Sequence, residues 1–163
     1  MENLATAHFR SPIGVLEITG TKAGIRSVIF IDSAIAEQAA PPAELKTCFT
    51  QLEEYFNGQR EHFSVPLDIS GTQFQQQVWR AVRQIPFGST RSYGTIAKSL
   101  QNQGAVRAVG SANAHNPLAL LVPCHRVTGT DGQLTGYAWG LWRKQWLLQH
   151  EQKQLPQAQL SLF

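Results

Sequence analysis

The sequence predicts an α/β (α+β) protein in two parts. A small N-terminal α/β domain with an antiparallel sheet takes residues 1–70, and a mostly helical C-terminal domain with a helix-turn-helix takes residues 71–163. Three observations point there. Alternating or β-branched apolar stretches punctuated by Gly and Pro fill the early chain. Helical spacing of apolar residues takes over from Thr72. Charge changes sign at the same place: residues 1–70 carry 5 Lys/Arg and 9 Asp/Glu, net −4, and residues 71–163 carry 9 and 2, net +7, returning the +3 of the whole chain.

FRSPIGVLEITG and IRSVIFID read as sheet strands, and HFSVPLDIS as a further short extended piece. Between them, PAELKTCFTQLEEYFNG sets Leu45, Cys48, Phe49, Leu52 and Phe56 at helical spacing and stops at Asn57-Gly58, so Cys48 lies on an apolar face and reads as a core residue. The second part opens on TQFQQQVWRAVRQI, where Thr72 and Gln75 fit a capping box and Phe74, Val78, Val82 and Ile85 form one stripe, ended by Pro-Phe-Gly. SYGTIAKSL is a second helix through Tyr93, Ile96, Ala97 and Leu100. After the turn at Asn-Gln-Gly, GAVRAVGSANAHNP is a third, and the pair joined by a glycine-containing turn is a helix-turn-helix. LALLV is a short buried run closed by Pro123, GTDGQLTG a loop, and LWRKQWLLQHE a helix with Leu141, Trp142, Trp146 and Leu148 available for packing. The polar tail after Glu151 is expected to be poorly tied down.

At 163 residues and 42% hydrophobic, the chain can bury a real core. Cys48 and Cys124 follow no CxxC spacing, which argues against a disulfide framework or a zinc site and suits a reducing cytoplasm. No leader-like N-terminus and no run of 18 apolar residues is present, so a soluble, unexported protein is expected. A net +7 over 93 residues with only Asp131 and Glu151 as acids is the footprint of a phosphate-neutralising surface. The third helix is built of small residues, among them Ala105, Ala108, Gly110, Ser111, Ala112 and Ala114, with Arg107 its only long charged side chain. Such a helix can come close to DNA but reads few base edges, which predicts sequence-tolerant contact in the minor groove.

LLVPCHRVTG places Cys124 beside His125. A reactive cysteine needs its thiolate, so a base is required. Neighbours in sequence form a direct hydrogen bond awkwardly, so proton transfer through a bridging water is inferred, with Glu151 orienting the imidazole. The run RAVGSANAHNPLALLVPCHRV, residues 107–127, resembles the signature of the O6-alkylguanine-DNA alkyltransferases, and TGYAWGLWRKQWLLQHE resembles the family's Gly-Tyr loop and Leu-Leu-x-His-Glu helix. The likeness runs from about Phe74 to Glu151, with a weaker match over the N-terminal part.

That resemblance implies direct, single-turnover repair: Cys124 takes the alkyl group, methyl above all, from O6 of guanine in duplex DNA and keeps it as a thioether. O4-alkylthymine is a second substrate it allows. His125 matches the water-linked base, Glu151 its partner, and Asn116 the asparagine holding the turn beside the cysteine. Tyr93 matches the tyrosine that serves the departing guanine and crowds a flipped nucleotide, and Arg107 the finger that fills the gap in the stack. Ala105, Ala108, Ser111, Ala112 and Arg126 are expected on the DNA. Tyr137, Ala138 and Trp139 form the loop over the guanine, and the carbonyls of Cys124 and Val127 accept from its amino group. No cofactor is implied. The N-terminal part lacks the cysteines and histidines of the zinc site in some relatives, so metal independence and a monomer are expected.

One position departs from the pattern: the loop reads GYAWG, with Trp139 where the family has glycine. If that glycine needed a positive φ, tryptophan would strain the loop; otherwise the indole would narrow the pocket or stack on substrate. Competing readings are a non-catalytic damage-binding relative that recruits other repair, a cysteine hydrolase and a helix-turn-helix regulator. The first lacks the acceptor cysteine, the second needs an oxyanion site, and the third needs base-reading side chains.

Overall fold

Residues Ala5–Ser11 (β1), Gly14–Thr21 (β2) and Gly24–Ile31 (β3) fold as a meander in a computed structural model that describes residues 3–35 and 39–156. Both pairings are antiparallel, in the order β1-β2-β3, with an irregularity at Thr19/Gly20. Alternation decides which face is buried: Ala7 and Phe9 of β1, Leu16 and Ile18 of β2, and Val28 and Phe30 of β3 point into the core. A one-turn 3-10 helix at Ala43–Leu45 leads into Lys46–Phe56 (α1). Leu45, Cys48, Phe49, Leu52 and Tyr55 bury its apolar stripe, with Phe49 edge-on to Phe9 at 5.0 Å between ring centroids. HFSVPLDIS contributes only a single bridge, Ile25 with Leu67, rather than a strand. Pro66 interrupts that segment, and a proline lacks the N–H a ladder needs.

The chain divides into two units. One comprises the residues up to Gly71 together with Pro117–Leu121, and the other comprises Thr72–Asn116 and the residues from Val122 onward. The excursion 117–121, expected with the second part, adds to the sheet unit: Val28 N–H donates to the Pro117 carbonyl at 2.9 Å and Ala119 N–H to the Val28 carbonyl at 2.8 Å. Leu118, Ala119, Leu120 and Leu121 are all buried there. Leu120 holds φ at +71°, a left-handed conformation costing a branched side chain about 1–2 kcal/mol.

The second unit contains Gln73–Arg83 (α2), Tyr93–Ser99 (α3), Val106–Ala114 (α4) and Leu141–Gln154 (α5). The capping box at Thr72 and Gln75 is formed in both directions. Ser92 caps α3 through the N–H of Thr95. A turn containing Gln101 at φ +58° and a 3-10 turn at Gln103–Ala105 separate α3 from α4. The Trp79 indole donates to the Ala112 carbonyl at 2.8 Å and ties α2 to α4. Arg91–Ser92 (β4) pairs in parallel with Val127–Thr128 (β5), bringing the start of α3 beside the segment that follows Cys124.

Helix α5 corrects the expectation. Leu141 and Trp142 are exposed, and its buried stripe is Lys144, Leu147, His150 and Glu151. The helix also runs past Glu151 to Gln154, so the tail does not begin there. Gln152 donates to the Gly88 carbonyl at 2.9 Å, and Leu155 lies so close to Gly88, itself at φ +78°, that a Cβ there would stand 2.8 Å from it. The expectation for the last seven residues lies outside the described part of the chain.

Candidate active site

Cys124 opens a one-turn 3-10 helix, Cys124–Arg126, directly after Pro123. The turn is held from three sides. Asn116 donates through Nδ2 to the Val122 carbonyl at 2.9 Å, closing the two ends of the 117–121 excursion. Asn113 donates from α4 to the Cys124 carbonyl at 3.3 Å. The N–H of Val127 donates to the same carbonyl. Two donors, one from a side chain and one from the backbone, thus converge on the Cys124 carbonyl.

The thiol is buried, and burial pushes its pKa up, because a thiolate is costly away from water. Three neighbours oppose that and pull it down: the polar side chains of Asn116 and Tyr137, and the positive charge of Lys144. Lys144 is fully buried on α5, where burial pulls its ammonium down to about 8 while a thiolate at Cys124 would raise it. Its Nζ donates to the Thr135 carbonyl at 3.2 Å.

His125 is buried and its Nε2 lies 2.7 Å from Oε2 of Glu151. Burial holds the ring below its ordinary pKa against the pull of Glu151, so the neutral form is favoured. Burial alone would raise the Glu151 carboxyl, but His125 and Arg126 together hold it well below the usual carboxylate range. A carboxylate can only accept, so Nε2 carries a hydrogen and Nδ1 carries the lone pair. Nδ1 is buried and has no hydrogen-bond partner among the described residues. The ring is therefore oriented with its basic nitrogen uncommitted. A thiol, a buried neutral imidazole and a carboxylate that fixes its tautomer can together move a proton off sulfur.

Arg126 lies elsewhere than expected. Expected on the DNA, it is buried: its Nε and Nη2 reach the two oxygens of Glu151 at 2.9 and 3.0 Å, and Nη1 donates to the Ile85 carbonyl at 2.8 Å. Gly88 N–H donates to the same carboxylate at 3.2 Å. Ala112 is likewise buried, its carbonyl taken by Trp79, because it lies on the inner face of α4 with Val109 and Asn113. Arg107, Ala108 and Ser111 lie on the outer face and are exposed, with Ala105 half-buried.

Tyr93 begins α3 with its hydroxyl 2.9 Å from that of Thr135. Its ring lies over Gly110 of α4, where a Cβ would touch it at 3.9 Å. Val127 is buried in β5, Tyr137 and Trp139 are half-buried, and Ala138 is exposed. Trp139 takes no positive φ; that conformation falls on Gly140, at +100°. The tryptophan therefore sits without backbone strain, with its ring edge-on to Tyr137 at 5.3 Å. Lys144, Asn113 and Thr135 were not singled out from sequence. A lysine at helical register with Leu147 and Glu151 was the available signal for the first; the other two had none.

The comparisons cover both units. Residues 73–153 match the model of the 6-O-methylguanine DNA methyltransferase DNA-binding domain, and residues 5–69 that of the ribonuclease-like domain of the same enzymes. The chain belongs to this methyltransferase family. Similar members include the methylated-DNA--protein-cysteine methyltransferases of Mycolicibacterium paratuberculosis, 45% identical over 94% of each chain, and of Methanosarcina mazei, 46% identical over 90% of this chain and 96% of the relative. The crystal structure of the Mycobacterium tuberculosis O6-methylguanine methyltransferase superposes with a TM-score of 0.84 at 41% identity, covering 95% of this chain and 96% of that one. A structure of M. tuberculosis OGT in complex with DNA gives 0.82 over 96% and 98%. Among the described residues no cluster of metal-binding side chains occurs, and no helix is long and apolar enough to cross a membrane.

Proposed function

We propose that this methyltransferase-family chain repairs DNA by moving the alkyl group of O6-alkylguanine, methyl above all and with O4-alkylthymine as a second substrate, onto its own Cys124, once per molecule. The observation that carries the reading is the buried Cys124 next to a His125 whose Nε2 is pinned by Glu151 and whose Nδ1 is uncommitted. The thiol proton passes to Nδ1 through one bridging water. The thiolate attacks the alkyl carbon, the C–S bond forms as the O6–C bond breaks, and the electron pair stays on guanine. Charge therefore develops on the departing base. Tyr93 serves it with a hydrogen bond from its hydroxyl, and the backbone N–H of Ala138 serves O6.

A duplex base reaches a buried thiol only by leaving the stack. Arg107, exposed on the outer face of α4 beside Ala108 and Ser111, fills the gap in that reading, with contact through the minor groove and little sequence preference. Tyr137, Trp139 and Val127 line the base and alkyl subsite, and Asn116 keeps the cysteine turn in place. A thioether offers no leaving route, which makes the reaction stoichiometric. No cofactor enters the scheme, and the chain acts as a monomer in the cytoplasm, where two free cysteines are stable.

The test is intact-mass and peptide mass spectrometry after mixing the protein with duplex DNA bearing one O6-methylguanine, beside a Cys124→Ala control. Gain of one CH2 on the Cys124 peptide, with guanine restored and no second turnover, is the expected result. Tight binding to the lesion without any mass gain would replace this reading by a non-catalytic damage-binding protein.

A further inference from the structure

Thr135 is fastened more firmly than its surroundings. The residues from Thr130 to Leu134 before it and Gly136 after it are exposed, whereas Thr135 is half-buried. Its carbonyl accepts from the buried Lys144 ammonium of α5 at 3.2 Å. Its hydroxyl meets that of Tyr93, on α3, at 2.9 Å. Its methyl packs on Gly129, where a Cβ would stand only 3.0 Å away. Two residues on, Tyr137 is one of the side chains that hold the Cys124 pKa down against burial. One threonine thus joins the phenol at the head of α3 to the loop beside the cysteine.

We infer that Thr135 is a positioning residue for the proposed reaction: its hydroxyl aims the Tyr93 phenol at the departing base and strengthens it as a donor. The inference rests on the reading of Tyr93 given above. Each hydroxyl has one hydrogen and two lone pairs. When Tyr93 turns its hydrogen toward the base, Thr135 can turn its own hydrogen toward the phenol oxygen, so the contact survives with its sense reversed. Donation to that oxygen polarises the phenol O–H toward the base, which makes it a better donor as charge builds on guanine. The backbone fastening to Lys144 does not depend on the side chain. Thr135→Val therefore removes the hydroxyl alone, keeping the branched shape and the loop anchor.

Single-turnover transfer from duplex DNA bearing O6-methylguanine, with DNA in excess, is measured for the wild type and for Thr135→Val, Thr135→Ser, Tyr93→Phe and the Tyr93→Phe/Thr135→Val pair. Thr135→Val lowers the limiting rate about tenfold and leaves the half-saturating DNA concentration unchanged. Thr135→Ser, which keeps the hydroxyl, restores the rate. In the Tyr93→Phe background the valine has no further effect. A Thr135→Val rate equal to wild type, or the same fold-loss in both backgrounds, overturns the inference, the latter by reducing Thr135 to loop packing. A wild-type protein that takes no methyl group overturns the underlying reading of Cys124 instead.

Discussion

Glu151 gathers the charges of the site, accepting from His125, from two nitrogens of Arg126 and from Gly88 N–H. Glu151→Gln leaves a buried guanidinium without its counter-charge, which should cost about 3–5 kcal/mol in urea unfolding at pH 7. The pH dependence has a definite sign. The folded carboxyl is held below its ordinary range, so its stabilisation is complete above the unfolded value of about 4.3 and is lost as pH falls toward the folded value. Urea midpoints should therefore fall steeply for the wild type below pH ~4.3 and more shallowly for the glutamine variant. Lys144 acts on the thiol instead. With Lys144→Met the thiolate loses its cation, and the rise of the alkyl-transfer rate with pH should move upward, costing about tenfold at pH 7.5. Of these residues, Cys124, His125 and Glu151 could be read from type and order in the sequence. Arg126 could not, because a basic side chain in a basic segment looks like surface until its partner is known, and Lys144 offered only its register with Leu147 and Glu151.

Helix α2 carries its own start signal, and that signal was readable. Thr72 with Gln75 announces α2, and Thr72→Ala should lower stability by about 1 kcal/mol while leaving alkyl transfer at its wild-type rate. Helix α4 divides into two faces. Its inner face, with Val109, Ala112 and Asn113, packs, and its outer face, with Arg107, Ala108 and Ser111, does not. Small residues occur on both, so composition alone assigned Ala112 to the wrong face. Arg107→Ala should leave the thermal midpoint unchanged, since the side chain is exposed, yet slow transfer from duplex DNA by tenfold or more while sparing O6-methylguanine in a single strand, which has no stack to fill. Helix α5 defeated the pattern for a physical reason: its buried stripe is mostly polar, and hydropathy cannot mark a lysine and a glutamate as interior when their partners come from elsewhere in the chain.

Across the whole chain, acidic and basic halves coexist, and the division near residue 70 was visible in charge and periodicity alike. The basic side predicts a salt-dependent affinity: neutralising about four phosphates would cost roughly a hundredfold in duplex binding between 50 and 200 mM salt, measurable by fluorescence anisotropy. The course of the chain through Pro117–Leu121 was not visible, since a short apolar run does not say which part of the molecule will bury it. That course has a kinetic meaning. The segment leading to Pro123 and Cys124 pairs at Leu118 with Val28, a residue from the opening strands, between the two ends that Asn116 fastens together, and a contact so distant in sequence forms slowly. A molecule that can be used only once is thus expected to complete its reactive turn late in folding, and a partly folded chain to leave its thiol unassisted.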